Sequence, residues 1–158
     1  MDLFAIGTTT GQILTRAELD AESQSTYTFY VDVHDGKDDY GRVSTTSDAY
    51  IQVTITVNDV NEPPVVSGDE TPEVIENVGQ FVETHSADDP ENSTTSKWTL
   101  DGNHKSAFEI DEFGTLSFLA TPNYEDQSEY SVTVQNSDGV LTGELSVTVT
   151  VINFDERG

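Results

Sequence analysis

Leu145-Ser-Val-Thr-Val-Thr-Val151 alternates apolar and hydroxyl-bearing residues, and Ile51-Gln-Val-Thr-Ile-Thr-Val57 has the same period of two. Side chains of an extended strand point to opposite faces in turn, so this pattern predicts strands with one face toward a core. Val, Thr and Ile supply 45 of the 158 residues, and their branched side chains favour strands over helices. The two stretches therefore predict an all-β fold.

The two alternating stretches end two copies of one longer pattern. The copies share residue types at positions 103 residues apart: Gly11 and Gly114, Glu22 and Glu125, Tyr27 and Tyr130, and Asp35 and Asp138. A period near 100 residues is the size of a β-sandwich domain. We expect seven strands in the second copy, at Glu73–Ile75, Phe81–Ser86, Lys97–Leu100, Ala107–Ile110, Leu116–Ala120, Tyr130–Gln135 and Glu144–Val151. This predicts a seven-stranded Greek-key sandwich of the immunoglobulin-like type.

Pro63-Pro64 marks the boundary between the copies, because prolines cannot donate to a strand ladder and stiffen a short linker. We expect residues 1–62 to be a partial copy with the last four strands, and residues 63–158 to be a complete copy. The first copy has no counterpart to residues 65–107, so we expect Met1 to lie inside a domain of a longer repeat protein. Half a sandwich leaves a core face bare, and we expect residues 1–62 to be loosely ordered or to pair with another chain.

Composition and charge exclude several classes of function. The chain has 30 Asp and Glu against 6 Lys and Arg, a formal net charge of −24, which disfavours binding to nucleic acid or to anionic membranes. The absence of Cys excludes a disulfide scaffold, a thiolate zinc site and a cysteine nucleophile. No apolar run approaches the roughly 20 residues of a membrane span, and the start carries no leader pattern. No nucleophile elbow or phosphate-binding loop is present, so we do not expect an enzyme.

Acidic residues cluster at predicted strand ends near the boundary between the copies. The groups are Asp20 and Glu22; Asp59, Asn61 and Glu62; Asp89 and Glu91; and Asp138. Clustered carboxylates repel one another, and calcium takes about six to eight hard oxygen ligands, so such groups favour a calcium site. The alternative is that they are solvated turn acids, since Asp is common in loops. Their recurrence at matched spacing favours the metal.

These motifs resemble those of cadherin repeats. Leu19-Asp-Ala-Glu22 is similar to the family's Leu-Asp-x-Glu motif. Asp59-Val-Asn-Glu-Pro-Pro64 is similar to its Asp-x-Asn-Asp-Asn-x-Pro linker, in a form typical of bacterial cadherin-like proteins. Glu76-Asn77, Asp89-Pro-Glu91 and the Asp-Gly pairs that begin at residues 35 and 138 match further motifs. The resemblance covers nearly the whole chain.

The resemblance implies two sets of calcium ligands. The set between the copies is Asp20, Glu22, Asp59, Asn61, Glu62, Asp89, Glu91 and Asp138. The set below the second copy is Glu76, Glu125, Asp155 and Glu156. Asn123 and Asn153 stand where the family has Asp, so we expect the second set to bind more weakly. Asp35 would face a repeat outside this chain.

The implied function is mechanical: calcium stiffens a tandem array of a secreted or cell-surface protein for adhesion or surface attachment. The implied partners are adjacent cadherin-like repeats and a homophilic or strand-exchanged dimer. An alternative is a carbohydrate-binding module of a polysaccharide-interacting surface protein, for which Tyr40, Tyr50 and Trp98 are candidate stacking residues. The three histidines, at positions 34, 85 and 104, lack metal-ligand spacing.

Overall fold

A computed structural model of the chain describes residues 3–33, 37, 49–92 and 94–154. The chain divides into two compact units, Met1–Val60 (unit 1) and Asn61–Gly158 (unit 2). In both units the regular structure is almost entirely β, and the one helix among the described residues is a single 3-10 turn at Lys105–Ala107. The prediction of an all-β fold is confirmed.

The described residues of unit 1 form four strands arranged as two antiparallel pairs. Strand β1 (Phe4–Ile6) pairs with β2 (Ile13–Thr15), and β3 (Thr26–Val33) pairs with β4 (Ala49–Thr56). In the turn between β1 and β2, the Gly11 amide donates to the Gly7 carbonyl at 2.7 Å, and Gly11 has a φ of 67° that favours glycine. In the longer pair, alternation places Tyr27, Phe29 and Val31 on one face of the sheet.

The apolar face of unit 1 is only partly covered. None of its described side chains is fully buried; Phe29 and Val31 are half-buried, and Val33 is 63% exposed. The alternation of Tyr27, Phe29, Val31 and Val33 along β3 predicts one buried face, and the structure buries this face only in part. The period of two is present, but a strand face is buried only where a second layer packs on it, and the described part of unit 1 supplies little of that layer.

Unit 2 contains nine strand segments in its described part. They are β5 (Val65–Ser67), β6 (Glu73–Ile75), β7 (Phe81–Thr84), β8 (Ser86–Asp88), β9 (Lys97–Asp101), β10 (Phe108–Ile110), β11 (Thr115–Phe118), β12 (Glu129–Ser137) and β13 (Thr142–Ile152). The sequence predicted seven. One difference is β5, and the other is that His85 divides the predicted Phe81–Ser86 strand: β7 pairs with β11, whereas β8 pairs with β5.

The strands of unit 2 form two main sheets and a short ribbon. One sheet has the order β6-β13-β12-β9, the other has the order β10-β11-β7, and β5 pairs with β8. β12 and β13 are joined over nine antiparallel residue pairs, from Glu129 opposite Thr150 to Ser137 opposite Thr142. At the outer edge, β6 pairs with β13 in parallel, with Glu73 opposite Thr150 and Ile75 opposite Ile152.

The hydrophobic core lies within unit 2. Its buried side chains come from both sheets and from β5: Val66, Val82, Phe108, Leu116, Phe118, Val132, Val134, Val147, Val149 and Val151. Phe108 packs against Phe118 with ring centroids 4.4 Å apart, and Tyr130 meets both rings edge-to-face. The alternating Val residues of β12 and β13 therefore fill the space between the sheets. The loops at the two ends of the sandwich lie outside this core, and the candidate site residues lie on them.

Candidate metal-binding site

In unit 1, Asp20 organises the turn that presents Glu22. The Asp20 Oδ1 atom accepts hydrogen bonds from the amides of Glu22 at 2.9 Å and Ser23 at 3.1 Å, and Oδ2 accepts one from the Ser23 hydroxyl at 2.8 Å. The hydrogen bonds from the Ser23 side chain and the Glu22 side chain, together with the two amides, lower the pKa of Asp20. Asp20 therefore stays ionised while it holds the turn.

Glu22 and Asp59 bring two carboxylates together within unit 1. One oxygen of each lies within 4.8 Å of the other. The pKa of Glu22 is raised to about 7, chiefly by its side-chain interaction with Asp20 and then by Asp59. Near neutral pH Glu22 is therefore partly protonated, which is the state expected when a carboxylate is held close to other carboxylates without a counter-ion.

The same turn recurs in unit 2 with the charge removed. The Glu125 amide donates to Asn123 Oδ1 at 3.0 Å, as the Glu22 amide donates to Asp20. The Gln127 amide donates to the Asn123 carbonyl at 3.1 Å, as the Gln24 amide donates to the Asp20 carbonyl at 3.0 Å. An amide oxygen is enough to hold this turn, so Asn123 retains the geometry and loses one potential anionic ligand.

At the same end of unit 2, the backbone holds the Glu76 carboxylate. Glu76 is 1% exposed; its Oε2 accepts from the Tyr124 amide at 2.9 Å and its Oε1 from the Phe154 amide at 2.8 Å. These two amides, followed by a side-chain hydrogen bond with Glu125, lower the pKa of Glu76. Glu125 in turn accepts from the Asn153 side chain at 3.0 Å. The structure thus brings Glu76 and Glu125 together.

The other end of unit 2 is organised around Asp138, which is 7% exposed. Its Oδ1 accepts from the amides of Val140 at 2.6 Å and Leu141 at 2.7 Å, and its Oδ2 accepts from Asn61 Nδ2 at 2.8 Å. The Asn61 side chain and the two amides lower the pKa of Asp138. Asn61 precedes the two prolines in sequence, so this hydrogen bond ties the start of unit 2 to the β12–β13 turn.

Glu91 lies at this end and contacts the same segment. Its Oε1 accepts from the Glu62 amide at 3.0 Å, whereas its buried Oε2 has no hydrogen-bond partner. Asp89 is half-buried in the same turn, where its carbonyl accepts from the Asn92 amide at 2.9 Å. A buried carboxylate oxygen without a donor is costly unless a cation coordinates it. Such an oxygen fits a hard, oxygen-preferring cation such as calcium.

The structure therefore places the sequence-predicted ligands in three groups. Asp20, Glu22 and Asp59 lie together in unit 1; Asn61, Glu62, Asp89, Glu91 and Asp138 lie at one end of unit 2; Glu76 and Glu125 lie at its other end. Asp35, Asp155 and Glu156 lie outside the described residues. Sequence reasoning missed the amides of Tyr124 and Phe154 that hold Glu76, because every residue except proline has an amide and no side-chain pattern marks one.

The aromatic and histidine candidates have mainly structural surroundings. Trp98 packs against the core, Tyr50 is 73% exposed and meets Tyr30 edge-to-face at 5.8 Å, and Tyr40 lies outside the described residues. The Ser131 amide donates to His104 Nδ1 at 2.8 Å, which uses one ring nitrogen for the fold. His34 is likewise outside the part that the structure describes.

Comparison with known proteins identifies the family. A cadherin domain model matches residues 1–58. The chain is 30% identical over 166 aligned residues to Protocadherin Fat 2 of Rattus norvegicus, and 32% identical over 163 to the Fat-like cadherin-related tumor suppressor homolog of Drosophila melanogaster. The crystal structure of mouse Cadherin-23 EC22-24 matches with a TM-score of 0.57 and 26% identity, over 96% of this chain and 50% of that one. The chain belongs to the cadherin repeat family.

Cadherin membership accounts for the sandwich fold and for the repeated pattern of the sequence. The alignments cover 99% and 96% of this chain but only 4% and 3% of the Fat 2 and Fat-like relatives. The chain thus corresponds to a small part of those cadherins. No helix in the ranges that the structure describes is long and apolar enough to cross a membrane.

Proposed function

We propose that this cadherin segment binds calcium through its acidic turns and that calcium stiffens a tandem array of repeats in a secreted or cell-surface protein. The observation that carries the proposal is the Glu22–Asp59 pair, in which two carboxylate oxygens lie within 4.8 Å and the pKa of Glu22 is raised to about 7. A divalent cation removes this repulsion and displaces the proton that Glu22 holds.

The proposed ligands fall into the two sets that the family resemblance implies. The set at the boundary between repeats is Asp20, Glu22, Asp59, Asn61, Glu62, Asp89, Glu91 and Asp138. The set at the far end of unit 2 is Glu76 and Glu125, with Asp155 and Glu156. We propose a repeat boundary at Glu62 and Pro63, so that the first set draws ligands from the end of one repeat, the linker and the start of the next.

The mechanism follows from the charge of the turns. Without calcium, carboxylates at the boundary repel one another, and the linker lets the repeats swing. With calcium, oxygen atoms from both repeats share the ions, and the joint stiffens. Extracellular modules bind calcium at about 10⁻⁴–10⁻³ M. Binding to the folded state alone stabilises it by about 2.7 kcal/mol at a calcium concentration 100 times Kd.

The proposed role is non-catalytic, and the proposed partners are adjacent cadherin-like repeats. A stiff array projects an adhesive surface away from the cell, where a second copy of the protein can meet it in a homophilic or strand-exchanged dimer. The proposed location is the cell surface or the extracellular space, where calcium is abundant. Among the described residues, nothing favours a polysaccharide ligand over this role.

Calorimetric calcium titration tests the proposal. The wild-type chain should bind calcium and gain thermal stability, whereas Asp59→Ala with Glu62→Ala should lose most of both effects. Glu109→Gln with Glu129→Gln is the matched control, because it removes two charges at exposed positions outside both ligand sets. Equal binding by the wild type and the Asp59/Glu62 variant, or an unchanged melting temperature in millimolar calcium, would refute the proposal.

A further inference from the structure

The row of β13 residues that faces the core ends in a residue without a side chain. Gly143 is buried, and it lies opposite Asn136 of β12. The same row continues along the strand with Leu145, Val147, Val149 and Val151. The period of two therefore leaves a gap the size of a side chain at the end of the row nearest the β12–β13 turn.

Space, and not backbone conformation, requires glycine at this position. Gly143 is not among the described glycines with positive φ, so its backbone conformation is open to any residue. A Cβ atom on Gly143 would instead collide with the backbone carbonyl of Pro64. A backbone carbonyl cannot rotate away as the end of a long side chain can. Gly143 thus forms a notch into which Pro64 fits.

Pro64 has few other means of being held in place. Neither Pro63 nor Pro64 has a backbone N–H, so these residues cannot donate to a neighbouring strand. Pro64 is nevertheless buried, directly before β5. Each ring fixes φ, and two successive prolines stiffen the chain. The notch therefore sets the position of Pro64 by shape, and the stiff chain transmits that position to the residues before it.

Two hydrogen bonds hold the residues that precede the prolines. The Asn61 side chain donates to Asp138 Oδ2 at 2.8 Å, and the Glu62 amide donates to Glu91 Oε1 at 3.0 Å. Asp138 lies in the turn between β12 and β13, in the same hairpin as Gly143. The chain before β5 thus contacts unit 2 through two carboxylates and through the notch.

These contacts depend on one another because the chain between them is short and stiff. A side chain at position 143 would push the Pro64 carbonyl out of the notch, and the shift would pass through Pro63 to Asn61 and Glu62. A hydrogen bond is lost once its donor and acceptor separate beyond about 3.5 Å. A displacement of about 1 Å would therefore be enough to break both hydrogen bonds.

We propose that Gly143 is a positioning residue. Its missing side chain seats Pro64, and this holds Asn61 and Glu62 beside Asp138 and Glu91 before any cation binds. The ligands that unit 2 contributes to the boundary set are then assembled in advance, so that calcium binding does not have to order them. This last step rests on the proposed calcium function, whereas the seating of Pro64 does not.

Nitrogen-15 relaxation of the full chain in EDTA tests the seating. In the wild type, the heteronuclear Overhauser effects of the Asn61 and Glu62 amides should equal those of β13. In Gly143→Ala they should fall at these two residues, while the amides of the β12–β13 core keep their wild-type values. Gly79→Ala is the matched control, because a Cβ atom there meets nothing within 4 Å and its φ is not positive. It should leave both amides unchanged.

A calcium titration followed by NMR at each ligand set tests the second step. The Kd measured at Val140, whose amide donates to Asp138, should rise about tenfold in Gly143→Ala, because binding must then order the ligands. The Kd measured at Tyr124, whose amide donates to Glu76, should not change. A general loss of stability in unit 2 would weaken both sets alike, so this selectivity distinguishes positioning from a merely structural role.

The wild-type measurement decides the seating even if Gly143→Ala fails to fold, because mobile Asn61 and Glu62 amides in EDTA would overturn it. Unchanged Overhauser effects in a folded Gly143→Ala would also overturn it. An unchanged Kd at Val140, or equal losses of affinity at both sets, would overturn the second step. Absence of calcium binding to the wild type would refute the calcium proposal and the second step, but the relaxation data would still report on Pro64.

Discussion

Asp20 and Asn123 occupy the same position of the same turn, 103 residues apart, and each accepts through Oδ1 the amide of the glutamate two residues later, at 2.9 and 3.0 Å. The two residues are nearly isosteric, so the chain contains a charged and a neutral version of one ligand-presenting turn. This pair isolates the electrostatic contribution of one carboxylate from the geometry of the turn.

The first prediction exchanges the two residues. Asn123→Asp should strengthen calcium binding at the Glu125 end by about fivefold, because one more negative charge lies near the cation. Asp20→Asn should lower the pKa of Glu22 from about 7, since Asp20 is the largest cause of its shift. Calorimetry measures the first effect, and carbon-13 NMR titration of the Glu22 carboxyl measures the second. Unchanged calcium affinity together with an unchanged Glu22 titration would contradict this account of the turns.

The second prediction concerns His85, which is 2% exposed with no hydrogen-bond partner on either ring nitrogen. Burial lowers its pKa, while the Gly114 backbone, Glu83 and Asp69 act in the opposite direction. The folded state therefore binds fewer protons at His85 than the unfolded state does. The free energy of unfolding consequently falls as pH decreases below about 6.5, the pKa of the ring in the unfolded chain.

Urea unfolding at pH 7.5 and at pH 5 measures this effect. The wild-type chain should be less stable at pH 5, and His85→Leu should reduce the difference. Proton NMR of the His85 ring provides a second readout that does not depend on the variant's folding. A ring that titrates at or above its ordinary pKa would contradict the prediction.

The third prediction compares matched core positions. Leu116 is 0% exposed in unit 2, and its counterpart at the 103-residue offset is Ile13, which is half-buried in unit 1. Leu116→Ala should destabilise unit 2 by about 2–5 kcal/mol, because it leaves a cavity in a packed core. Ile13→Ala should lower the free energy of unfolding by clearly less, since the Ile13 side chain is already partly exposed to solvent. Chemical denaturation, monitored by the fluorescence of Trp98, measures the free energy of unfolding of unit 2. Equal decreases in this free energy from both variants would be inconsistent with the burial pattern.

The fourth prediction concerns Glu76, whose carboxylate accepts the amides of Tyr124 and Phe154. The pKa of Glu76 is lower in the folded chain than its value of about 4.5 in the unfolded chain. The carboxylate therefore stabilises the fold above pH 4.5, and this contribution is lost as the pH falls through the pKa of the folded state. Glu76→Gln should lower the melting temperature at pH 7 even without calcium. Glu73→Gln, at an exposed position of β6, is the control and should have little effect. A melting temperature unchanged by Glu76→Gln would show that the two amides are satisfied without the charge.

Much of the fold could be predicted from the sequence because β12 and β13 are long and alternate strictly. Shorter or interrupted elements could not be predicted in the same way. Val65–Ser67 is three residues long and directly follows two prolines, so it carries no periodic signal. The division at His85 also has no local signal, because it arises when the chain leaves one strand partner for another.

The candidate ligands were predictable as residue types, whereas their surroundings were not. The spacing of Asp20 and Glu22 indicated an acidic turn, but the raised pKa of Glu22 depends on how closely the fold brings the side chains of Asp20 and Asp59 to it. The burial of Glu91 Oε2 and the hydrogen bond from the Glu62 amide to Oε1 likewise arise only in the folded chain. Burial in unit 1 was overestimated for a similar reason: alternation shows which face is apolar, but not whether another layer covers it.

The parallel pairing of β6 with β13 has a consequence for a repeat under tension. β6 lies near the start of unit 2 and β13 near its end, and their paired residues run from Glu73 opposite Thr150 to Ile75 opposite Ile152. A pull on the two ends of the unit slides these strands past one another, so the bonds between them bear the force together instead of opening one at a time. This edge is therefore loaded in shear when the two ends of the unit are pulled apart.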